Sequence, residues 1–189
     1  MEKTIVIYAN KYGSTEKYAH WIGEELDCPV IELDKASKAG LADYDMIIYG
    51  GGVHAGGIRG FDKFKKWIRQ YFWLVEEPEK TVIVFAVGIN VHTTETRMQL
   101  RDVNFDKKWL RQLTCFFMPG AFDPAKIDKV DNLVLKMMKK MLKDKGLNMN
   151  AEERELLRMV EEGCDKVDRE AIRPLVEEVR RLAESKQQK

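Results

Sequence analysis

The sequence predicts an α/β protein built around a doubly wound parallel sheet of five strands. Two observations support this class. Short apolar runs rich in β-branched residues recur along the first two thirds of the chain, and segments with helical periodicity separate them. Most of these runs are apolar throughout, which is typical of strands whose two faces are both covered by helices. Strands that alternate with helices indicate right-handed crossovers between parallel strands.

The length and composition are those of a single globular domain. The 189 residues suffice to bury a substantial core, and 44% are apolar and 33% charged. No apolar run reaches the length of a membrane span, and the first residues lack a signal-peptide pattern, so we expect a cytoplasmic protein. The three cysteines form no C-x-x-C pair and are expected to be reduced, mostly buried thiols.

The predicted strands cover residues 4–8, 30–33, 46–49, 82–87 and 114–118. A helix is predicted to begin near Glu16. Its apolar face consists of Tyr18, Ala19, Ile22 and Leu26. A second helix follows the third strand. Its apolar face consists of Phe61, Phe64, Trp67, Ile68 and Tyr71, and the run 71–73 is expected to be its buried end.

Beyond the fifth strand the chain is predicted to be helical. We expect residues 127–189 to form an extension that packs on the same core, so that residues 1–189 are one domain. A helix over 127–143 carries an apolar stripe that is expected to face the sheet. The stripe consists of Val130, Val134, Met137, Met138, Met141 and Leu142. The opposite face is basic and consists of Lys136, Lys139, Lys140 and Lys143. Such a face usually lies in water, although it also suits an anionic membrane surface or a partner.

Capping residues mark two further helices. Asn150 with Glu153 forms a predicted capping box, and Gly163 is expected to end that helix. Asp168 is predicted to cap the last helix. The apolar face of that helix consists of Ile172, Leu175, Val176, Val179 and Leu182.

The junction between the first strand and the first helix has the composition of a phosphate-binding turn. It consists of Asn10, Lys11, Tyr12, Gly13, Ser14 and Thr15. Free main-chain N–H groups and the positive end of the helix dipole meet at such a junction, and short polar side chains add hydrogen bonds. The alternative is a tight turn with a threonine cap and no ligand.

Two more segments are expected to meet this turn, because ligands bind at the carboxyl ends of the strands in an open parallel sheet. The first, residues 50–57, is read as a loop with five glycines and an alanine among its eight residues, so a flat ligand can approach its backbone closely. The second begins with Gly88, Ile89 and Asn90 and continues as a polar stretch over 91–106. That length favours a functional loop.

Several other functions are excluded by the residues present. The pattern Gly50-x-Gly52-x-x-Ala55 matches a dinucleotide fingerprint, but it does not follow the first strand or open directly into a helix. The first turn lacks the acidic pocket of a receiver domain and the cysteine and arginine of a small phosphatase. His20, His54 and His92 form no metal-ligand pattern, and no catalytic triad is supported by the spacing. A phosphate cradle without a base or a metal site favours a phosphate-bearing cofactor, and FMN fits.

These segments together resemble the flavodoxin superfamily. More narrowly, the chain is similar to the flavodoxin-domain group that includes the menaquinone-dependent protoporphyrinogen IX dehydrogenases. The resemblance is carried by the first turn, by residues 45–56, by residues 85–90 and 117–122, and by the Met- and Lys-rich helix after them. It implies a flavodoxin-like fold with strand order 2-1-3-4-5 and FMN as the cofactor.

The resemblance also implies roles for particular residues. Asn10, Tyr12, Gly13, Ser14 and Thr15 would hold the FMN phosphate, and Lys11 would contribute its main-chain amide. One side of the flavin would be lined by Gly52, Val53, His54, Ala55 and Gly56. The other side would be lined by Gly88, Ile89 and Asn90. His54 stands where electron-transfer flavodoxins usually place an aromatic ring against the flavin.

Three functions remain open at this point. The first is a flavodoxin-like carrier that passes electrons between partner proteins. The second is a flavin oxidoreductase that dehydrogenates a porphyrinogen and reduces a quinone. Residues 51–145 have a net charge of +7, which suits carboxylate substrates, an acidic partner or peripheral contact with a membrane. The third is an interaction module that no longer binds flavin. No nucleic-acid partner is indicated.

Overall fold

A computed structural model describes residues 3–73, 80–107 and 110–187 of the chain. Five parallel strands form the central sheet: β1 (Thr4–Ala9), β2 (Val30–Glu32), β3 (Met46–His54), β5 (Thr81–Gly88) and β6 (Thr114–Pro119). Their order across the sheet is β2-β1-β3-β5-β6. A two-residue strand, β4 (Gly57–Ile58), pairs antiparallel with the end of β3. The five parallel strands therefore have the predicted order 2-1-3-4-5, and the predicted fold class is confirmed.

In these described ranges, six α-helices accompany the strands: α1 (Ser14–Leu26), α2 (Phe61–Trp73), α3 (Thr94–Asn104), α4 (Lys129–Asp144), α5 (Ala151–Glu162) and α6 (Arg173–Gln187). A second, two-stranded sheet pairs β7 (Ala121–Phe122) with β8 (Cys164–Asp165) in antiparallel fashion. Short 3-10 turns cover Ala39–Asp43, Leu110–Gln112, Gly146–Asn148 and Arg169–Ile172.

The sheet is covered on both faces, as the apolar strands predict. On one face, alternate residues of β1 such as Ile5 and Ile7 pack against the aromatic side of α2, including Phe61 and Phe64. On the other face, Val6 and its neighbours pack against α1 and α6. The apolar faces predicted for α1 and α2 are confirmed where the side chains are described. The predicted burial of residues 71–73 lies outside the described side chains.

The last helix covers the sheet, and α4 and α5 do not. Ile172, Leu175, Val176 and Val179 are buried in the same cluster as the apolar face of α1. Asp168 caps a 3-10 turn that leads into α6, and Gly163 ends α5 after the predicted Asn150–Glu153 capping box. No residue of α4 or α5 belongs to either core cluster in the described part of the chain.

The stripe predicted for α4 is mostly wrong in its orientation. Val130, Met137 and Met141 are 60–70% exposed. Of the predicted stripe, Leu142 is buried as expected, and the inward side also carries Asp131, which the stripe did not include.

The glycine-rich run is a strand and a tight hairpin, where the sequence predicted a loop from Gly50. Gly50 pairs with Tyr8 on one side and Phe85 on the other, so β3 continues through this run. A Cβ atom on Gly50 would lie 2.0 Å from the Phe85 ring, and one on Gly51 would lie 2.6 Å from Ile58. These glycines therefore serve close packing within the sheet.

The polar stretch after Asn90 is also different from the prediction. Most of it forms α3, whose N-cap Thr93 accepts a hydrogen bond from the Thr96 N–H at 3.1 Å. Only Leu100 and Asn104 are buried on this helix, so its apolar periodicity is too weak to be recognised in the sequence.

We expect Gly50→Ala to lower the free energy of unfolding by about 1–3 kcal/mol, because the new methyl group overlaps the buried Phe85 ring. Gly57→Ala is the matched control, since its Cβ would have no contact closer than 3.5 Å, to His54 O. Urea unfolding of the two variants measures the difference. Equal midpoints would contradict this account of the glycine run.

Candidate functional site

A cavity of about 510 Å³ lies at the carboxyl ends of β1, β3 and β5. This volume lies within the range of small-molecule and cofactor sites. Thirteen of the fourteen residues named from the sequence line it, and Gly13 is the exception. They are Asn10, Lys11, Tyr12, Ser14, Thr15, Gly52, Val53, His54, Ala55, Gly56, Gly88, Ile89 and Asn90. The structure thus brings together the three segments that the sequence singled out.

The turn before α1 leaves the first amides of the helix without a side-chain cap. Gly13 is the N-cap residue, with φ of 97°, and no side chain in the described part of the chain caps the helix there. Asn10 Oδ1 accepts from the Gly13 N–H at 2.9 Å, which fixes the turn. Thr15 is only 3% exposed and lines the cavity. The expected alternative, a threonine-capped turn, is therefore not what forms.

The β3–β4 hairpin supplies the second wall of the cavity. Ala55 and Gly56 connect the paired residues His54 and Gly57 and have positive φ of 47° and 81°, as a tight two-residue hairpin turn requires. A Cβ atom on Gly52 would meet only Thr15 Oγ1, at 3.5 Å. Because Gly52 lines the cavity, a larger side chain at this position would extend into it.

A buried asparagine that the sequence analysis missed holds this hairpin in place. Asn104, at the end of α3, accepts from the Ile58 N–H at 2.8 Å and donates to the Gly56 carbonyl at 2.8 Å. Its side chain thereby ties α3 to both sides of the turn. No signal in the sequence distinguishes Asn104 from a solvent-exposed helical asparagine.

The third wall follows β5 and contains an acceptor that lacks a partner. Gly88 packs closely on the hairpin, since a Cβ atom there would lie 3.2 Å from Val53 Cβ. Asn90 donates weakly to Thr96 at 3.5 Å. Its side-chain oxygen is buried and accepts no hydrogen bond from the described residues. A buried carbonyl of this kind suits a ligand that carries an N–H group.

The fourth wall comes from α4 and α5 and was not predicted. It is aliphatic and consists of Val134, Leu135, Met138, Leu156 and Val160. Arg59, which donates from Nε to the Asn10 carbonyl at 3.1 Å, also lines the cavity. The sequence gives no signal that α4 reaches back to the first turn, because the two are separated by more than 110 residues.

Asp131 connects this fourth wall to the first two. Its carboxylate lies 2.6 Å from Lys11 Nζ, accepts a short hydrogen bond from Tyr12 OH, and lies 3.0 Å from His54 Nε2. Lys11 also pairs with Asp128 at 2.8 Å. Three residues named as flavin contacts therefore hold one buried carboxylate of α4.

The titration of this cluster follows from burial and charge. Burial alone would raise the pKa of Asp131, but hydrogen bonds from Lys11 and Tyr12 and the nearby His54 outweigh it, so the pKa lies below its ordinary value of 3.8. Hydrogen bonds to Asp128 and Asp131 raise the pKa of Lys11. Burial, followed by the hydrogen bond to Asp131, raises the pKa of Tyr12. At neutral pH the cluster thus holds an ionised aspartate, a lysinium and a neutral phenol.

The cysteines are free thiols, as predicted, although they are half-buried and not fully buried. Burial raises the pKa of Cys28 to about 11 and that of Cys115 to about 12. The described residues contain no group of three or more His, Cys, Asp or Glu side chains that could hold a metal ion. None of the helices in the described ranges is long and apolar enough to cross a bilayer.

The fold and the site together define a class: a flavodoxin-like α/β protein with a ligand cavity at the carboxyl edge of its sheet. Residues 5–147 match the family model of the flavodoxin domain, and the chain belongs to this family. The match is to the flavodoxin domain as a whole and does not single out the protoporphyrinogen dehydrogenase group.

Individual relatives are distant. A protein of Methanocaldococcus jannaschii is 27% identical over 87 residues, which cover 46% of this chain and 54% of that protein. The chain therefore spans about half the length of this curated relative. A flavodoxin, WrbA-like protein from Agrobacterium tumefaciens is 16% identical, with a TM-score of 0.49 over 69% of this chain and 88% of that one. A flavodoxin from the domain Archaea is 14% identical, with a TM-score of 0.42 over 85% of this chain and 97% of that one.

We expect Asp131→Asn to reduce the free energy of unfolding by about 1–3 kcal/mol near pH 7, because charged hydrogen bonds to Lys11 and His54 are lost. The folded-state pKa of Asp131 is lowered, so its contribution is present above the ordinary value of 3.8 and is lost as the pH falls through the lowered value. Wild type and variant should therefore converge in strong acid. Thermal unfolding across pH measures this, with Asp34→Asn, at a side chain that is 86% exposed, as the control. A constant gap across pH would contradict it.

Proposed function

We propose that this protein binds FMN in the cavity and carries electrons between redox partners. The observation that supports this most directly is the uncapped N-terminus of α1 at the base of the cavity. Main-chain N–H groups at a helix N-terminus bind phosphate well, because they have no partner within the helix and lie at the positive end of its dipole. When bound, FMN supplies reversible one- and two-electron transfer.

The residues present fit this cofactor at three places. The turn 10–15 offers short polar side chains and a glycine with positive φ beside the helix amides. Gly52 leaves room for a ligand where a side chain would otherwise lie. The buried oxygen of Asn90 accepts no hydrogen bond from the described residues, and the pyrimidine edge of a flavin carries an N–H donor that suits it.

In this proposal the residues of the cavity have the cofactor-binding roles that the sequence resemblance implied. Ser14, Thr15 and the amides of the first turn would bind the phosphate. The β3–β4 hairpin and the segment 88–90 would flank the ring. Among the described lining residues the aromatic side chains are Tyr12 and Phe122, and His54 lies in the hairpin. Stacking on these rings would contribute part of the affinity.

A second candidate function is a flavin oxidoreductase with a quinone acceptor, and the aliphatic wall of the cavity favours it. Leu135, Met138 and Leu156 line the side opposite the hairpin. A carrier that meets its partners only through an exposed flavin edge has no need of such a wall, whereas an apolar quinone or a porphyrinogen would lie against it. We therefore keep protoporphyrinogen oxidation coupled to quinone reduction as the alternative.

The two candidates use the same outer surface differently. Beside the cavity, Val130, Met137 and Met141 of α4 are exposed, and Val103 of α3 is 62% exposed. The lysines of α4 adjoin this apolar stripe. For the carrier we propose that an acidic partner protein docks there. For the oxidoreductase, an anionic membrane that contains the quinone would contact the same stripe.

We expect the purified protein to retain flavin absorbance after incubation with FMN and desalting. Gly52→Val should lower FMN affinity by at least about tenfold, because its side chain would occupy cavity space while a β-branched residue suits a strand. The control is Gly57→Ala, because Gly57 directly follows the hairpin turn and does not line the cavity. No flavin retention by the wild type, or equal affinity in both variants, would overturn the assignment.

Anaerobic assays separate the two candidates. Reduced protein is mixed with a short-chain quinone, and oxidised protein is mixed with protoporphyrinogen, and the flavin spectrum is followed. A carrier should show no turnover with protoporphyrinogen. The oxidoreductase should take electrons from protoporphyrinogen two at a time and pass them to the quinone. Met138→Trp, which reduces the space along the aliphatic wall, should slow quinone turnover and leave the flavin spectrum unchanged if the alternative is right.

A further inference from the structure

We propose that the segment from Asp123 to Gly163 is a hinged cover over the flavin site, and that Asp131 is the positioning residue that latches it closed. The proposal rests on the proposed FMN function only for the identity of the ligand beneath the cover. The latch itself is a property of the chain without a ligand.

The segment is attached to the rest of the protein through a narrow stem. The stem is the pair β7–β8, in which Phe122 lies opposite Cys164 at the two ends of the segment. The stem is anchored firmly, because the Ala121 N–H donates to Ser14 Oγ at 3.1 Å and the Lys166 N–H donates to the Gly120 carbonyl at 3.2 Å. Beyond the stem, Gly163 has φ of 87°, a backbone conformation that glycine adopts without strain.

Within the described part of the chain, α4 and α5 contact each other more than either contacts any other helix or strand. Leu142, Met159 and Val160 are its buried apolar residues, and ion pairs Lys143–Glu161 and Lys145–Glu153 join its two parts. Neither core cluster includes any of its residues, all of which are described. A unit that packs mainly on itself can move about its stem without disrupting the sheet.

The contacts that close the segment over the cavity converge on the start of α4, where Lys11 pairs with Asp128 at 2.8 Å and with Asp131 at 2.6 Å. The side chain of Asp131 is 7% exposed and is held by Lys11, Tyr12 and His54, which belong to the first turn and to the β3–β4 hairpin. Charged hydrogen bonds of this kind are strong when they are shielded from water. Two separate parts of the site are thereby tied to the first turn of α4, and Asp131 is the residue that contacts both of them.

The orientation of α4 supports the assignment of Asp131 as the latch. Hydrophobic burial alone would turn Val130, Met137 and Met141 inward, because they form the main apolar stripe. The helix turns Asp131 inward together with Met138 and Leu142 and leaves those three side chains 60–70% exposed. This orientation is the one that lets Asp131 reach Lys11, Tyr12 and His54.

The closed cover has a consequence for ligand exchange. Its aliphatic residues, among them Leu135, Met138 and Leu156, form one wall of the cavity. A ligand that is flanked by this wall leaves more slowly when the latch holds, and its release requires the contacts of Asp131 to break. Asp131 is accordingly a determinant of the residence time of the cofactor.

The first test uses hydrogen exchange on the full chain without ligand. We expect Asp131→Asn to accelerate exchange of amides in α4 and α5 by at least about tenfold, while amides of β1, β3 and β5 stay the slower set and accelerate by no more than the change in global stability accounts for. Glu161→Gln is the matched control, because it removes one carboxylate from the same segment and touches Lys143, away from the cavity. Exchange of α4 and α5 at the same rate in all three proteins would overturn the latch.

A double-mutant cycle tests whether the ion pair with Lys11 is responsible. Lys11→Met should also accelerate exchange in α4 and α5, and the double variant Lys11→Met/Asp131→Asn should be no faster than the faster single variant. A residue that matters only for local helix stability would give additive effects. Strictly additive effects therefore contradict the proposal.

The second test measures FMN dissociation by stopped-flow fluorescence. The FMN-loaded protein is mixed with an excess of a different FMN-binding apo-protein, which traps the released FMN. Asp131→Asn should release FMN at least about tenfold faster than wild type, and Glu161→Gln should match wild type. If the wild type binds no FMN, the proposed function fails while the exchange experiment still decides the latch. If FMN binds and all three proteins release it at one rate, the cover does not govern the site.

Discussion

The main-chain amides at the start of α1 must find hydrogen-bond partners, and no side chain in the described ranges caps them. Gly13 occupies the cap position without a side chain to offer, and its positive φ directs the turn toward the carboxyl edge of the sheet. The turn, the β3–β4 hairpin and the segment after β5 are brought to this edge by the parallel strand order. The features of the cavity are thus arranged around a helix end that favours an anion.

A second principle governs the outer wall. Burial of apolar surface usually decides how a helix faces its protein, yet on α4 a buried carboxylate shares the inward side with Leu135, Met138 and Leu142. Replacing Asp131 would leave Lys11 with Asp128 alone and would remove the carboxylate that Tyr12 and His54 contact, which is costly in a shielded site. Val130, Met137 and Met141 are left exposed and form an apolar stripe on the outer side of the helix.

The sequence predicted the sheet and the three segments of the cavity, because continuous apolar runs and glycine-rich turns reflect local chemistry, and the resemblance to the flavodoxin superfamily supplied the strand order. The sequence-based prediction was wrong where the same local pattern is compatible with two structures. The glycines from Gly50 were read as a loop, although they remain in β3 to admit Phe85 and Ile58. The polar helix α3 has too few buried residues to show a period. Asp131 and Asn104 act through partners far along the chain, and no local pattern reports such contacts.

The pairing of Phe122 with Cys164 allows the number of residues in the α4–α5 region to vary. Because the chain leaves and re-enters at neighbouring positions, residues can be gained or lost between them without shifting the register of any sheet strand. Closing a longer excursion costs little entropy, since that cost grows only with the logarithm of its length. A chain of this fold could therefore carry a longer or shorter element at this point while the three walls at the sheet edge keep their positions, and only the wall that α4 and α5 form would change.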